Sequence, residues 1–226
     1  MPINPMFNPT VFASETIYTL VILIFCMLVY FKTKEIYDLS KHKGIQFFRY
    51  AFLFFGLAYA SRIILYVMIF SESISFEPIR RGKTIFMQLL PVSNLVVAYL
   101  STLAILYLIY STIWKKMDIE HFLIVSNIVA LFVAVVAFVS RSPSIISIIQ
   151  LVLLVVLIIF STKKKEKDKK KTHARALYIL IAIFWLLNLL VLNPVRRLPL
   201  QVLLFFQIAS IGVFVAIYYK VHKWVK

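Results

Sequence analysis

An all-α membrane bundle of seven transmembrane helices, N-terminus outside and C-terminus cytoplasmic, is the fold this sequence predicts. Three observations carry the expectation. Hydrophobic residues make up 62% of the 226 residues, against about 45–50% in ordinary soluble domains. They gather into seven runs, at 11–31, 47–70, 86–112, 121–140, 144–161, 173–192 and 199–221, each reaching the ~17–25 residues that a helix needs to cross the hydrocarbon core. The loops between the runs alternate between rich and poor in Lys and Arg.

Helix follows from the continuity of the runs. A lipid-facing barrel strand alternates apolar and polar residues, and these runs do not. In lipid only a helix satisfies the backbone of an uninterrupted apolar run. Glycine, at four residues, is rare enough for long helices.

The first run follows Pro2, Pro5 and Pro9, which favour an extended lead. That lead lacks the positive start of a cleavable signal, so none is expected. The run carries Glu15 about one turn from its outer end, and Cys26. A single cysteine can form no internal disulfide and no cysteine-based metal site, so Cys26 is read as a packing residue. The second run holds Arg62 about two turns from its outer end, with Phe55, Ala58, Tyr59 and Tyr66 on the same helical face. The third follows Pro78-Ile79-Arg80-Arg81 and carries Gln88, Pro91, Ser93, Asn94 and Ser101. Pro91 removes a backbone hydrogen bond and is a place for a kink.

The fourth run presents a small-residue stripe of Ala130, Ala134 and Ala137 with Asn127, a pattern for close helix packing. Gly56 with Ala60 and Gly212 with Ala216 repeat it. The fifth starts at Pro143 and holds Ser147 and Gln150. The lysine tract 163–171 follows, a solvated loop or an electrostatic contact. The sixth run places Tyr178, Ala182, Trp185 and Asn188 on one stripe. The seventh follows Pro194-Val195-Arg196-Arg197, starts at Pro199, and holds Gln201, Gln207 and Ser210. The shared P-x-R-R pattern before runs three and seven is compatible with a three-plus-one-plus-three repeat or with chance.

Orientation comes from counting. Eighteen Lys and Arg fall on one side of the runs and six on the other, with Arg62 inside a run. The rich side is assigned to the cytoplasm. The net charge of +16 sits in these loops, so anionic lipid headgroups on the cytoplasmic side are the expected partner and nucleic acid is not. No loop can hold a soluble domain, and residues 1–226 form one domain. The expected location is the cell membrane, multi-pass, with a prokaryotic plasma membrane favoured.

Ionisable and amide groups in a membrane mark function by default. With the assigned orientation Glu15, Arg62, Gln88, Asn94, Gln150, Asn188 and Gln201 all fall in the outer half. Glu15 and Arg62, opposite in sign at comparable depth on consecutive helices, suggest an ion pair. A polar pocket open to the outside and lined by Arg62, Glu15, Tyr59, Tyr66, Asn94, Asn188 and Gln201 is one reading. Interhelical hydrogen bonding, at about 1 kcal/mol or less per amide, is the other. The histidines His42, His121, His173 and His222 are scattered near the cytoplasmic side, and no G-x-S-x-G, paired intramembrane acids or mid-membrane lysine in run seven is present. No enzyme, metal or cofactor is therefore expected. A receptor or sensor binding a small polar or anionic ligand, and signalling to a separate membrane or cytoplasmic protein, ranks first. A small-solute transporter or channel, and a ligand-free scaffold subunit, are the alternatives.

Overall fold

The computed structural model describes residues 9–74, 80–115, 117–140, 143–162, 169–192 and 199–225, with side chains for all of these except 9, 69–74, 80–90, 143, 169–174, 192, 224 and 225. Pro78, Ile79, residues 194–197, Arg141 and residues 163–168 lie outside that description, as do the side chains of Arg80, Arg81, Gln88 and residues 169–171. Among the described residues the chain is entirely helical, with α1 Pro9–Ser40, α2 Lys43–Ile74, α3 Arg80–Ile113, α4 Ile119–Ser140, α5 Pro143–Thr162, α6 Lys169–Leu192 and α7 Leu200–Val225. Six are long and apolar enough to span a membrane. The expectation of seven spans is met less fully at α6, whose apolar stretch Arg175–Val191 is shorter.

The first two helices outrun the apolar segments. Each has 32 residues and so measures about 48 Å, against a hydrocarbon core of about 30 Å. In α1 the overhang lies at the lysine-rich end, where the chain continues as charged helix with i,i+3 pairs Lys32–Glu35 and Lys41–Asp38. Helix α1 stops at Lys41, whose φ of 50° is left-handed and whose amide donates to the Tyr37 carbonyl at 2.7 Å, a helix C-terminal cap made without glycine. Only Lys41 and His42 separate α1 from α2. The third helix runs unbroken through Pro91.

Helices α1, α2, α3, α5, α6 and α7 pack in that order as a ring, which α7 closes onto α1. Helix α4 lies against α3 and α5. Its stripe Ala130, Ala134 and Ala137 is buried, and Ala134 and Ala137 cluster with Ala98 of α3. Tyr99 also donates to Asn127 at 2.7 Å. Gly56 is buried against α1, where an added Cβ would meet Met27 and Cys26. Gly212 differs from its expectation: a Cβ there would meet nothing within 4 Å, because that face of α7, with Ala216, points away from the bundle. The outward faces carry Ile17, Ile24, Ile128, Phe132, Val139, Phe205 and Ile208 exposed, the surface that lipid solvates.

The interior divides in two along the bundle. Toward the lysine-rich end it is filled by rings. Phe47 meets Tyr110 at 4.4 Å, Tyr110 stacks on Phe122 at 4.0 Å, and Phe214 meets Phe184 at 4.5 Å. Such pairs contribute about 0.5–1.5 kcal/mol each beyond their packing. Phe55 of α2 reaches across to Trp185 of α6 at 4.1 Å. Beyond that pair, toward the opposite end, the residues are smaller and polar, and a space remains.

Candidate functional site

That space is a cavity of about 80 Å3, bounded by α2, α3, α5 and α6. Helical spacing explains its lining. Ala58, Tyr59 and Arg62 face one way from α2, Asn94, Val97, Ala98 and Ser101 from α3, and Trp185, Asn188 and Leu189 from α6. Ile146, Ser147 and Gln150 complete it from α5. A small residue at Ala58 and another at Ala98 leave room that Phe48, Phe52 and Phe55 occupy nearer the lysine-rich end.

Two hydrogen-bonded groups hold the walls. In the first, Gln150 donates from Nε2 to Ser101 Oγ at 2.6 Å and accepts at Oε1 from the Trp185 indole at 3.2 Å. One amide thus ties α3, α5 and α6. In the second, Tyr18 Oη donates to Asn188 Oδ1 at 2.7 Å and lies 2.8 Å from Ser210 Oγ, joining α1, α6 and α7. Tyr18, Asn188 and Ser210 are all at most 2% exposed. The Tyr59 hydroxyl sits beside this group, close to Tyr18 and Asn188.

Two donors are left over. Arg62 Nη1 and Asn188 Nδ2 are both buried, and neither has a hydrogen-bond partner among the described residues. A buried polar group without a partner costs about 1–3 kcal/mol, more when it is charged. Both belong to residues that line the same cavity. Positive charge from Arg62 acts on the hydroxyls of Tyr18, Tyr59 and Tyr66 around it.

The residues expected from the sequence fall into three groups. Arg62, Tyr59, Asn94 and Asn188 line the cavity together. Glu15 and Tyr66 form a pair of their own, Tyr66 Oη donating to Glu15 Oε2 at 3.1 Å. The expected Glu15–Arg62 ion pair is not formed: no carboxylate among the described residues lies within 4.0 Å of Arg62. A carboxylate that accepts from a tyrosine one helical turn beyond the arginine keeps its charge solvated without the guanidinium. Gln201 lies in the exposed first turn of α7 and does not reach the cavity. Sequence reasoning passed over Tyr18 altogether, placed Gln150 among the outer-half polar groups, and read Trp185 only as a member of the Asn188 stripe.

A second arginine has an unusual setting at the lysine-rich end. Arg49 lies 4.5 Å from the Tyr30 ring, 5.8 Å from Tyr37 and 6.0 Å from Tyr50, and donates from Nη2 to Tyr30 Oη at 2.9 Å. Cation–π contact of this kind holds a guanidinium at a membrane interface.

No family model matches the chain, and no solved structure matches it. A protein of Archaeoglobus fulgidus, described only as an uncharacterized protein, is 34% identical to it over 229 residues, covering 97% of this chain and 96% of that one. Similarity at this level over nearly the whole of both chains reflects one shared fold, and the chain belongs to the same family as that archaeal protein.

Proposed function

We propose that this chain is a multi-pass protein of the cell membrane, of receptor or sensor type, with the N-terminus outside and an outward-facing polar pocket around Arg62. One observation carries the reading: the cavity holds two buried donors, Arg62 Nη1 and Asn188 Nδ2, that nothing among the described residues satisfies. Membrane interiors penalise such groups, so their persistence favours a ligand over a purely structural role. The ring-filled half toward the lysine-rich end favours a pocket that ends blind rather than a conduit.

The pocket adjoins a transmitting element. Asn188 lines the cavity while its amide oxygen holds Tyr18, which also meets Ser210. A ligand that repositions the Asn188 amide changes how α1 and α7 are tied to α6. Binding biases the bundle only as far as the ligand prefers one arrangement over the other. The charged overhang of α1 and α2 and the basic loops would contact anionic headgroups and a separate membrane or cytoplasmic protein, which supplies the output. The chain itself is read as non-enzymatic.

The test is accessibility. Asn94→Cys, in a protein whose own Cys26 is buried, should react with an anionic, membrane-impermeant thiosulfonate applied from outside the cell. Reaction from the cytoplasmic side alone would reverse the orientation, and no reaction from either side would remove the pocket.

A transporter remains the second reading, on one observation. Gln207 Nε2 and Thr102 Oγ1 are also buried and without a hydrogen-bond partner among the described residues, which extends unsatisfied polarity beyond the cavity lining. Saturable uptake of a labelled solute by proteoliposomes would select this reading. A cavity inaccessible in every assay would leave the scaffold.

A further inference from the structure

We infer that the cavity takes a small monocarboxylate with a short apolar tail. This rests on the pocket reading above and specifies its ligand.

The hydrogen-bonding inventory is one-sided. Asn188 Oδ1 is taken by Tyr18, Gln150 Oε1 by Trp185, and Ser101 Oγ by Gln150 Nε2. What remains unpartnered on these residues and on Arg62, all of which line the cavity, is donors: Arg62 Nη1 and Asn188 Nδ2, the latter beside the Tyr59 hydroxyl. A ligand that brings acceptors satisfies them, whereas a cationic ligand meets the Arg62 charge and a polyol brings hydroxyl donors that need acceptors in return. Asn94, at the half-buried rim, can turn either end of its amide to what enters.

Charge count fixes the valence. Arg62 is the single Lys or Arg in the lining, and no Asp or Glu lines it. One buried cation balances one negative charge, and a second would be buried unpaired. Donor count favours a carboxylate, because two oxygens can each receive one of two donors, and charged hydrogen bonds of this sort are the strong ones.

The remaining wall is apolar: Ala58, Val97, Ala98, Ile146 and Leu189. A spherical inorganic anion would leave that wall empty. With about 80 Å3 available, at roughly 10–15 Å3 for each water-sized group, the space suits about five to eight non-hydrogen atoms. Butyrate has a carboxylate for the donors and a tail for the wall.

Trp185 reports on occupancy because it lines the cavity and bonds to Gln150. Purified protein in lipid nanodiscs would be titrated with butyrate, butyramide, butylamine, succinate, chloride and galactose at constant ionic strength, following tryptophan emission, with Trp185→Phe as the signal control. Butyrate should give a saturable change that Trp185→Phe removes. Arg62→Gln should weaken butyrate by about 10–100-fold and weaken butyramide by a smaller factor, because the amide loses a hydrogen bond but no ion pair. Asn188→Asp, a second variant of near-identical size, should weaken butyrate by at least about 10-fold through repulsion.

Equal affinity for butyrate and butyramide, or butyrate binding indifferent to both substitutions, would overturn the carboxylate while keeping the pocket. Tighter binding of succinate, chloride, butylamine or galactose would do the same. Absence of any response, in protein whose Asn94→Cys form is labelled from outside, also overturns the carboxylate alone. Absence of both response and labelling overturns the pocket itself.

Discussion

The two halves of the bundle are built from the same helices and differ in what those helices point inward. On α2 the successive inward residues are Phe48, Phe52 and Phe55, then Ala58, Tyr59 and Arg62. The first set fills the centre, and its rings meet those of Tyr178, Phe214 and Trp185 across the interior. The second set leaves a cavity and a guanidinium with an unpartnered nitrogen. One helix thus changes from filling the interior to lining a cavity within two turns, without any break in the backbone.

The most direct way to break this contrast is to hollow out the ring-filled half. Phe52→Ala, at a side chain 1% exposed, should cost about 3–5 kcal/mol, measured by unfolding in mild detergent. Asn94→Ala in the cavity lining should cost less than about 1 kcal/mol. Equal losses would mean that the two halves are packed alike.

A smaller effect sharpens the picture of the filled half. An added Cβ at Gly44 would lie 3.0 Å from the Ser111 carbonyl oxygen and 2.9 Å from Trp114, whereas at Gly56 the nearest atom is the flexible end of Met27. Gly44→Ala should therefore destabilise by about 1–3 kcal/mol, and Gly56→Ala by less. If Gly56→Ala proves the more damaging, the close approach of α2 to α3 at the lysine-rich end is not a fixed contact.

The smallest effect belongs to the surface. Asp118, ahead of α4, is held below the usual carboxylate range, chiefly by its hydrogen bond with His121 and also by the Ile119 amide. A depressed folded-state value makes the contribution present above the unfolded pKa of about 3.9 and lost as pH falls through the lower folded value. Asp118→Asn should lower the unfolding midpoint at pH 7 only slightly, because the pair is exposed, and flatten its decline below about pH 4 by the same small amount. A midpoint that still falls as steeply in that variant would assign the acid response to other carboxylates.

Helix positions were legible in the sequence because hydropathy reports what lies in lipid. It missed the extensions of α1 to Ser40 and α2 back to Lys43, since the charged helix beyond the bilayer is stabilised by pairs such as Lys32–Glu35 and not by burial. Arg62, Tyr59, Asn94 and Asn188 were legible as polar groups in apolar runs. Glu15 was visible, but its partner was not, because a choice between Tyr66 and Arg62 depends on geometry that helical period leaves open. Tyr18 was hidden by counting tyrosine as apolar, although its hydroxyl joins three helices. Gln201 misled because depth along a helix says nothing about which way its first turn faces. The ring order, with α4 against α3 and α5, has no signature in a single sequence.

The two-residue connection at Lys41 and His42 has a mechanical consequence. With its backbone capped in a left-handed turn, it leaves α1 and α2 almost no slack. Glu15 and Tyr66 clasp the same two helices near their other ends. Fastened at both ends, the pair behaves as a single stiff beam with Arg62 on its inner face and its last turns standing clear of the bilayer. A tilt of either helix would therefore be shared by the other.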